Sequence, residues 1–423
     1  MRCLSLLLAA ASLLAGTPAA RAQSDTQTRV FDPQFRTLKV QVDGNFMAQP
    51  VISLGGPDQV CVSFDELGDD RSYLRYSLVH CDADWQLSSL LESEVLDSFN
   101  EDEVDDFGFS AGVFRHYVNY RVCVPNERMR PLVSGNYLMR VYREGEPDSP
   151  VLQARFSVSE DAVRVTGQAS SITDRGTNDR WQQLSMDINT GRYQVNDPYN
   201  ELIIKVYQNG VDMTPAQPLR PLRTEPGRLV YEHNPGLVFP AGNEFRRFET
   251  VRTDYAGMHV AENRYDGDGY TVTLTEDSGR ADRPYTYDRT QYGRFKVDEY
   301  SATDPDLGAD YVQTLFTLDF PQVTNGDVLL DGEFARSLPE NERVMRYDPA
   351  TGKYTASLLL KQGSYNYRYG ARLRGRQDSL LDFSLVEGDH YETQNEFTVN
   401  VYHRPPGARY DRLVGSTILY TEK

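Results

Sequence analysis

The residue types best suited to chemistry lie in one stretch near the start of the chain. It contains His80-Cys81-Asp82-Ala83-Asp84-Trp85, then Glu92, Phe99 and Asn100. The spacing of Asp82 and Asp84 would let two carboxylates do acid–base work or bind a cation. The same Asp-x-Asp spacing also caps backbone amides in turns, and we favour that interpretation.

Other chemical motifs are weak along the chain. The sequence has no P-loop and no His-Glu-x-x-His zinc motif. Its six His are dispersed, and two of them, His80 and His116, fall in or beside predicted strands, where a His is usually a structural residue. The acidic run 97–106 lacks the spacing of a calcium loop, and a hairpin tip explains Asp266 and Asp268 better than calcium does. We therefore predict a non-enzyme without catalytic residues, metal or cofactor.

The N-terminus predicts export. Arg2 precedes an apolar run, residues 4–16, which is too short to span a bilayer, and Ala20-Arg21-Ala22 fits a cleavage site. We predict a signal peptide over residues 1–22 and a flexible segment over 23–35. Because Cys3 precedes the apolar run, it does not fit a lipid-bearing cysteine, so we expect neither a lipid anchor nor a membrane span.

Charge and cysteine content narrow the function classes. A net charge of -18 argues against nucleic acid and anionic lipid as partners. After the predicted cleavage three cysteines remain, Cys61, Cys81 and Cys123, an odd number without Cys-x-x-Cys spacing, which argues against a zinc site. Cys61 and Cys123 lie in separate alternating stretches and could form a disulfide, or all three could be buried thiols.

Alternation of apolar and polar residues dominates the rest of the chain and predicts short strands separated by Gly, Pro, Asn and Asp turns. Only residues 88–96 show helical spacing in the first third. The pattern predicts an all-β fold of three consecutive immunoglobulin-like, early-set antiparallel β-sandwich domains. We place them at residues 36–160, 161–300 and 301–423.

The last predicted domain raises a second functional hypothesis. Its segments 328–334 and 352–369 resemble an early-set carbohydrate-binding module, and Tyr365, Tyr367 and Tyr369 share one face of a strand. These rings could stack on sugars or pack in the core, and we favour the core. Both Trp residues, the usual sugar platforms, lie outside this segment. The alternative function is a periplasmic or surface carbohydrate-binding protein.

Many short pieces, in order over residues 37–415, resemble the plug protein family of the type IX secretion system of Bacteroidota. The pieces are Cys61–Leu67, His80–Trp85, Phe99-Asn100, Asn119–Arg121, Pro125–Glu127, Ser134–Tyr137, Asp197–Asn200, Glu387–Asn395, Tyr402–Gly407 and Tyr410–Arg412. Cys61 and Cys123 depart from the family's more usual polar or β-branched residues, so a disulfide between them would be particular to this branch.

This resemblance implies a non-enzymatic periplasmic protein at the inner face of the outer membrane. Such proteins dock on the periplasmic mouth of a very large translocon barrel and seal it when no cargo passes. We expect the docking residues in the long acidic loop, namely Asp82, Asp84, Trp85, Glu92, Phe99 and Asn100, because loops often carry function. Alternatively, this loop simply covers the end of a sandwich. A third class, a secreted cargo, would need a C-terminal sorting domain, whereas residues 413–423 resemble the end of the plug family's last domain.

Overall fold

The first unit of the molecule is built from the strands predicted by alternation. The structure, a computed structural model, describes residues 26–376 and 380–421; the predicted signal peptide lies outside this range. The elements of the first unit are β1 (Arg29–Val30), β2 (Phe35–Val42), β3 (Val51–Ser53), β4 (Val60–Leu67), β5 (Leu74–Cys81), α1 (Glu92–Val95), β6 (Asp102–Glu103), β7 (Asp106–Phe109), β8 (Tyr117–Val124), β9 (Gly135–Arg143) and β10 (Pro150–Ser159).

Two sheets enclose the core of the first unit. One has the order β1-β10-β9-β5-β6, with β3 beside β10, and the other has the order β2-β4-β8-β7. Alternate side chains of each strand point inward, so Phe64, Tyr120, Tyr137 and Phe156 meet in one apolar cluster. The single helical turn, α1, falls inside the segment predicted from helical spacing.

The segment predicted to be flexible differs from that prediction over residues 26–35. Val30 is fully buried, and β1 pairs with β10. The Arg155 guanidinium also donates hydrogen bonds to the carbonyl and hydroxyl of Thr26. The apolar side chain of Val30 and the edge of β10 hold this polar stretch against the sandwich.

The second unit begins directly after β10. Its elements are β11 (Arg164–Ser170), β12 (Ile172–Thr173), β13 (Gly176–Thr177), β14 (Trp181–Asn189), α2 (Pro198–Glu201), β15 (Leu202–Gln208), β16 (Val211–Asp212), β17 (Arg223–Glu225), β18 (Arg228–Tyr231), the 3-10 helix η1 (Pro235–Leu237) and β19 (Val238–Pro240).

The third unit follows without a break. Its elements are β20 (Arg246–Glu249), β21 (Val260–Tyr265), β22 (Tyr270–Leu274), β23 (Asp277–Ser278), β24 (Phe295–Val297), α3 (Pro305–Gly308), β25 (Tyr311–Asp319), β26 (Gly326–Asp331), α4 (Glu333–Arg336), α5 (Glu340–Arg343), β27 (Arg346–Asp348), β28 (Lys353–Lys361) and β29 (Gly363–Leu373). Its sheets have the orders β20-β29-β24, with β26 also on β29, and β21-β22-β25-β28-β27, with β23 on β25.

The last two strands, β30 (Glu396–His403) and β31 (Arg412–Tyr420), return to the second unit. β30 pairs with β15 along its length, giving the sheet β16-β15-β30-β31 opposite β11-β14-β18-β17, where β19 also pairs with β14. The sequence assigned these strands to the block 301–423, and that assignment is wrong for them. Their apolar residues share a core with Ile204 and Val206 of β15, a pairing across nearly two hundred residues that alternation cannot reveal.

The all-β prediction is confirmed, since the three units are made of mostly antiparallel sheets packed in pairs. The three cores draw on residues 30–158, on 163–239 with 397–419, and on 248–386. The chain therefore leaves the second unit after β19, builds the whole third unit, and then returns. Whether each unit folds independently stays a prediction.

Cys61 and Cys123 are joined by a disulfide between directly opposed positions of β4 and β8, with their Cα atoms 4.0 Å apart. The bond links strands that are adjacent in one sheet of the first unit. Cys81 is a buried free thiol, and burial raises its pKa to about 12. At neutral pH this thiol is protonated and therefore a poor nucleophile.

We expect that reducing the Cys61–Cys123 disulfide lowers the free energy of unfolding of the first unit by up to about 4 kcal/mol, because the bond closes a long loop in the unfolded chain, with a sequence separation of 62. Urea denaturation followed by circular dichroism, with and without reductant, measures the difference. The Cys61→Ala, Cys123→Ala double variant is the control and should not respond to reductant. Coincident wild-type curves, with reduction verified by mass spectrometry, would contradict this expectation.

Candidate functional site: the loop after β5 and the junction it forms

The loop that follows β5 begins with a turn built by Asp82. The Asp82 Oδ1 atom accepts hydrogen bonds from the amides of Asp84 (3.0 Å) and Gln86 (2.9 Å), and the Trp85 amide donates to the Asp82 carbonyl. These bonds hold Trp85 at a φ of 60°, a left-handed conformation that is uncommon outside Gly. The turn interpretation of the Asp-x-Asp spacing is confirmed. Burial raises the Asp82 pKa.

Trp85 is buried and lies against Cys81 and Leu138. The Arg155 guanidinium carbon lies 4.2 Å from the centre of the indole ring, a cation–π contact. The indole Nε1–H donates to the hydroxyl of Tyr207, on β15 of the second unit, at 3.4 Å. Trp85 is therefore packed between the first and second units.

The neighbours of Trp85 also cross to the second unit. Asp84 forms an ion pair with Lys205 of β15. The Ala83 amide donates to Asp411 Oδ2 at 2.9 Å, and Asp411 in turn accepts from Arg404 at 3.3 Å. Because Ala83 and Asp411 are both buried, this contact belongs to the interior of the junction.

Several of the family-like sequence pieces meet at the same junction. The Asn136 side chain donates to the Asp82 carbonyl at 2.8 Å and accepts from the Tyr402 hydroxyl at 2.7 Å. Arg412 forms a two-pronged ion pair with Glu160, which also accepts from the Ser134 hydroxyl. Pieces far apart in sequence are thus parts of one interface.

His80 lies in the centre of this junction. Its ring contacts the rings of Tyr137 and Tyr410 edge-on, and its Nε2 lies 3.1 Å from the Ser134 carbonyl. The neutral ring donates from Nε2, while its buried Nδ1 has no hydrogen-bond partner. Burial lowers the His80 pKa. A side chain at position 135 would collide with this ring, which explains the Gly found there.

A second buried His lies deeper in the second unit. Tyr193 shares a 2.7 Å hydrogen bond with Nδ1 of His403, and Nε2 of His403 lies 3.1 Å from Glu201. The order Tyr-His-carboxylate resembles a proton relay. His403 and Glu201 are both buried, and the Glu201 carboxylate also accepts the Asn196 amide. The contacts tie α2 to β30, a structural role.

The rest of the loop runs along the outer side of β5. Asn100 accepts from the Leu78 amide at 2.7 Å and donates to the Leu78 carbonyl at 2.8 Å, so its side chain pairs with the strand as a backbone would. It also donates to Glu92 of α1. Between these fixed residues Phe99 is 93% exposed.

The six predicted docking residues thus fall into two places. Asp82, Asp84 and Trp85 lie at the junction between the units, while Glu92, Phe99 and Asn100 lie around α1. Five of the six make contacts within the chain, and Phe99 is the one whose ring points into solvent. Their docking role stays a prediction. The junction role was missed, because its partners lie between 54 and 328 residues away along the chain.

The first unit of this chain is similar to a known protein family. A family model described as the type 9 secretion system plug protein 1st domain matches residues 35–160, which cover β2 to β10. The chain belongs to the type IX secretion system plug family. The family is of a non-catalytic, structural kind and is associated with an envelope secretion apparatus.

The likeness extends beyond the matched domain. A crystal structure of a hypothetical protein from Parabacteroides merdae superimposes with a TM-score of 0.90 and 39% sequence identity, over 93% of this chain and 99% of that one. A putative membrane anchored protein from Corynebacterium diphtheriae aligns over 91% of each chain at 8% identity, with a TM-score of 0.14 that carries no argument. The comparison with curated proteins found no match.

The structure also shows whether the three tyrosines of β29 are buried or exposed. Tyr365, Tyr367 and Tyr369 of this plug-family protein are almost completely buried in the third core, where Phe248 and Phe295 stack on the Tyr365 ring. The prediction that they pack in the core is confirmed. Rings without exposed faces cannot serve as a sugar platform, so the feature that suggested glycan binding is a packing feature.

Gly108–Gly112 has the Gly-x-Ser-x-Gly spacing of a hydrolase nucleophile elbow, which requires a strand, a sharp turn and a helix. Here Ser110 follows β7 and pairs through its backbone with Tyr117, whose amide donates to the Ser110 hydroxyl oxygen at 2.9 Å. The next element is strand β8. This pentapeptide therefore does not form the elbow geometry.

Within residues 26–376 and 380–421, no three His, Cys, Asp or Glu side chains are placed to share a metal ion. The same residues include no helix with the length and apolar character needed to cross a bilayer.

We expect Trp85→Ala to lower the free energy of unfolding by about 3 kcal/mol or more, because it removes a buried ring between two units. Urea or thermal denaturation followed by circular dichroism measures the effect. Phe99→Ala, in the same loop but exposed, is the matched control and should leave stability within about 0.5 kcal/mol of wild type. Equal destabilisation by both substitutions would contradict the junction role of Trp85.

The buried His80 predicts a loss of stability in acid. Unfolding exposes this ring and restores an ordinary pKa, near 6.5, whereas burial lowers the pKa in the folded chain. The unfolded chain therefore binds the extra proton, and the stability from neutral His80 is complete above pH 6.5 and declines as the pH falls below it. Stability measured against pH should decline less steeply in His80→Gln than in wild type. Identical profiles for wild type and His80→Gln would contradict this assignment.

Proposed function

We propose that this plug-family chain is a non-enzymatic periplasmic cover for the type IX translocon. It docks on the periplasmic opening of the giant outer-membrane barrel and seals the opening when no cargo passes. Family membership, through the match over residues 35–160, is the observation that carries the proposal. The predicted export signal supports placement in the periplasm, at the inner face of the outer membrane.

The packing of the units supports a covering role. A wide barrel leaves an aqueous hole, and a cover for it must resist bending. Modules joined end to end hinge at their linkers. Here every unit contacts both others, so the three close into one body rather than a row.

The contact between the first and third units contains a buried ion pair. The Lys361 ammonium lies 2.7 Å from Asp65 Oδ2, and both side chains are at most 1% exposed. The Tyr311 hydroxyl donates to the same carboxylate at 2.6 Å, and Lys361 also lies over the Tyr117 ring. Removing one member of such a pair leaves an unpaired buried charge, which costs about 3–5 kcal/mol. Separating these two units would expose the same charges to water or leave each without its partner.

The second and third units are joined in a similar way. Arg294, from the third unit, forms a buried two-pronged ion pair with Glu396 of β30, with contacts of 2.6 and 3.0 Å. Gln49 of the first unit donates to the same carboxylate at 2.6 Å. Glu396, in the second unit, therefore accepts hydrogen bonds from the first and the third units and links all three.

The test is recovery of the barrel. Purified protein, immobilised and mixed with detergent-solubilised outer membranes of its own organism, should retain the translocon barrel, identified by mass spectrometry, whereas an equally acidic unrelated β-sandwich protein should not. Deletion of the protein should make the outer membrane permeable to large hydrophilic probes. Recovery of polysaccharide without the barrel, together with an unchanged permeability, would reject the proposal in favour of glycan binding.

A further inference from the structure

Phe99 is a rigidly presented aromatic side chain. The residue before it, Ser98, donates from its hydroxyl to the Arg128 carbonyl at 2.5 Å. The residue after it, Asn100, is fixed by the paired hydrogen bonds to Leu78. The backbone on both sides is thus held to the sandwich while the ring is 93% exposed. Because the backbone on both sides is already held, little backbone entropy is lost when a partner covers the ring.

Exposed leucines flank α1 in the same loop. Leu91, at the start of α1, is 66% exposed, and Leu87 precedes it. Leu132 is also exposed, and its amide donates to the Val95 carbonyl at the end of α1. Exposed large apolar side chains on both sides of one short helix are typical of an interaction surface.

The segment that contains Phe99 is acidic. Residues 92–106 contain eight acidic side chains and no Lys or Arg. Arg75 and Arg128 pair with some of these carboxylates from outside the segment, which leaves the acidic residues in excess. The matching partner surface has an apolar pocket rimmed by Lys or Arg. Anionic lipid and a second copy of this acidic loop would both be repelled.

We propose that Phe99 is the anchor of the docking surface. It inserts into an apolar pocket with a basic rim on the periplasmic side of the translocon barrel, and Leu91 and Leu132 cover the edge of that pocket. This inference rests on the proposed function and refines it. It assigns docking to the exposed part of the loop after β5, and it assigns Asp82, Asp84 and Trp85 to holding the units together.

The test compares variants in binding to the purified, detergent-solubilised barrel. Phe99→Ala should weaken binding by on the order of 10- to 100-fold, the usual loss for a central aromatic anchor, and Leu91→Ser should cause a smaller loss. The control is Tyr300→Ala, which removes a ring that is 73% exposed on the third unit; it should bind as wild type. Unchanged thermal stability of Phe99→Ala shows that the loss is not misfolding.

A second arm tests the charge. Glu103→Lys combined with Asp105→Lys, at two side chains about two-thirds exposed, should weaken binding and flatten its dependence on salt, because attraction to a basic rim is screened by ions. Unchanged affinity and salt dependence in this variant would remove the basic rim from the proposal.

The outcomes separate the two claims. If wild type does not bind the barrel, the proposed function fails. If wild type binds and Phe99→Ala binds equally, or Tyr300→Ala weakens binding instead, the anchor is overturned while the function stands. Binding of wild type to anionic vesicles, or self-association that Phe99→Ala abolishes without any effect on barrel binding, would also overturn the anchor.

Discussion

Buried charge pairs between units constrain how the three units can move relative to one another. Asp65 with Lys361 and Arg294 with Glu396 each join different units, and their side chains are almost fully removed from water. Neither charged side chain of a pair is hydrated unless two units separate. A pair that opens only partly leaves two buried charges that neither water nor the partner stabilises. The three sandwiches therefore behave as one body, and that stiffness is the property a cover over a wide aqueous opening needs.

Several pieces of the family resemblance lie at a different contact between units. The pieces that identified the chain as plug-like include His80–Trp85, Ser134–Tyr137, Tyr402–Gly407 and Tyr410–Arg412. The structure brings them to the junction of the first and second units, where Asn136 links Asp82 to Tyr402. Such a signature reports how the units are assembled. Asp82 and Trp85, which were predicted to dock because they lie in a long acidic loop, are part of that assembly.

Features that depend on neighbouring residues could be predicted from the sequence, whereas pairing between distant strands could not. Alternation predicted an all-β chain of short strands, and turn residues predicted that they are separated by turns, because both signals depend on neighbours a few residues away. The return of β30 to β15 depends on a match between two apolar faces nearly two hundred residues apart. The burial of Tyr365, Tyr367 and Tyr369 was predicted for a local reason, a shared strand face, while the exposure of Phe99 depends on Asn100 pairing with Leu78 and had no local signal.

A reversible cover must be stiff inside and weakly held at its contact. Large apolar interfaces are typical of permanent complexes, whereas releasable ones combine a small anchored centre with a polar, hydrated rim. Phe99 within an acidic loop has this composition, and its fixed backbone allows a small contact to be specific without being large. The stiffness of the junction and the small area of the exposed patch are therefore complementary. In the proposed function, the first keeps the cover in one piece, and the second lets it leave when cargo arrives.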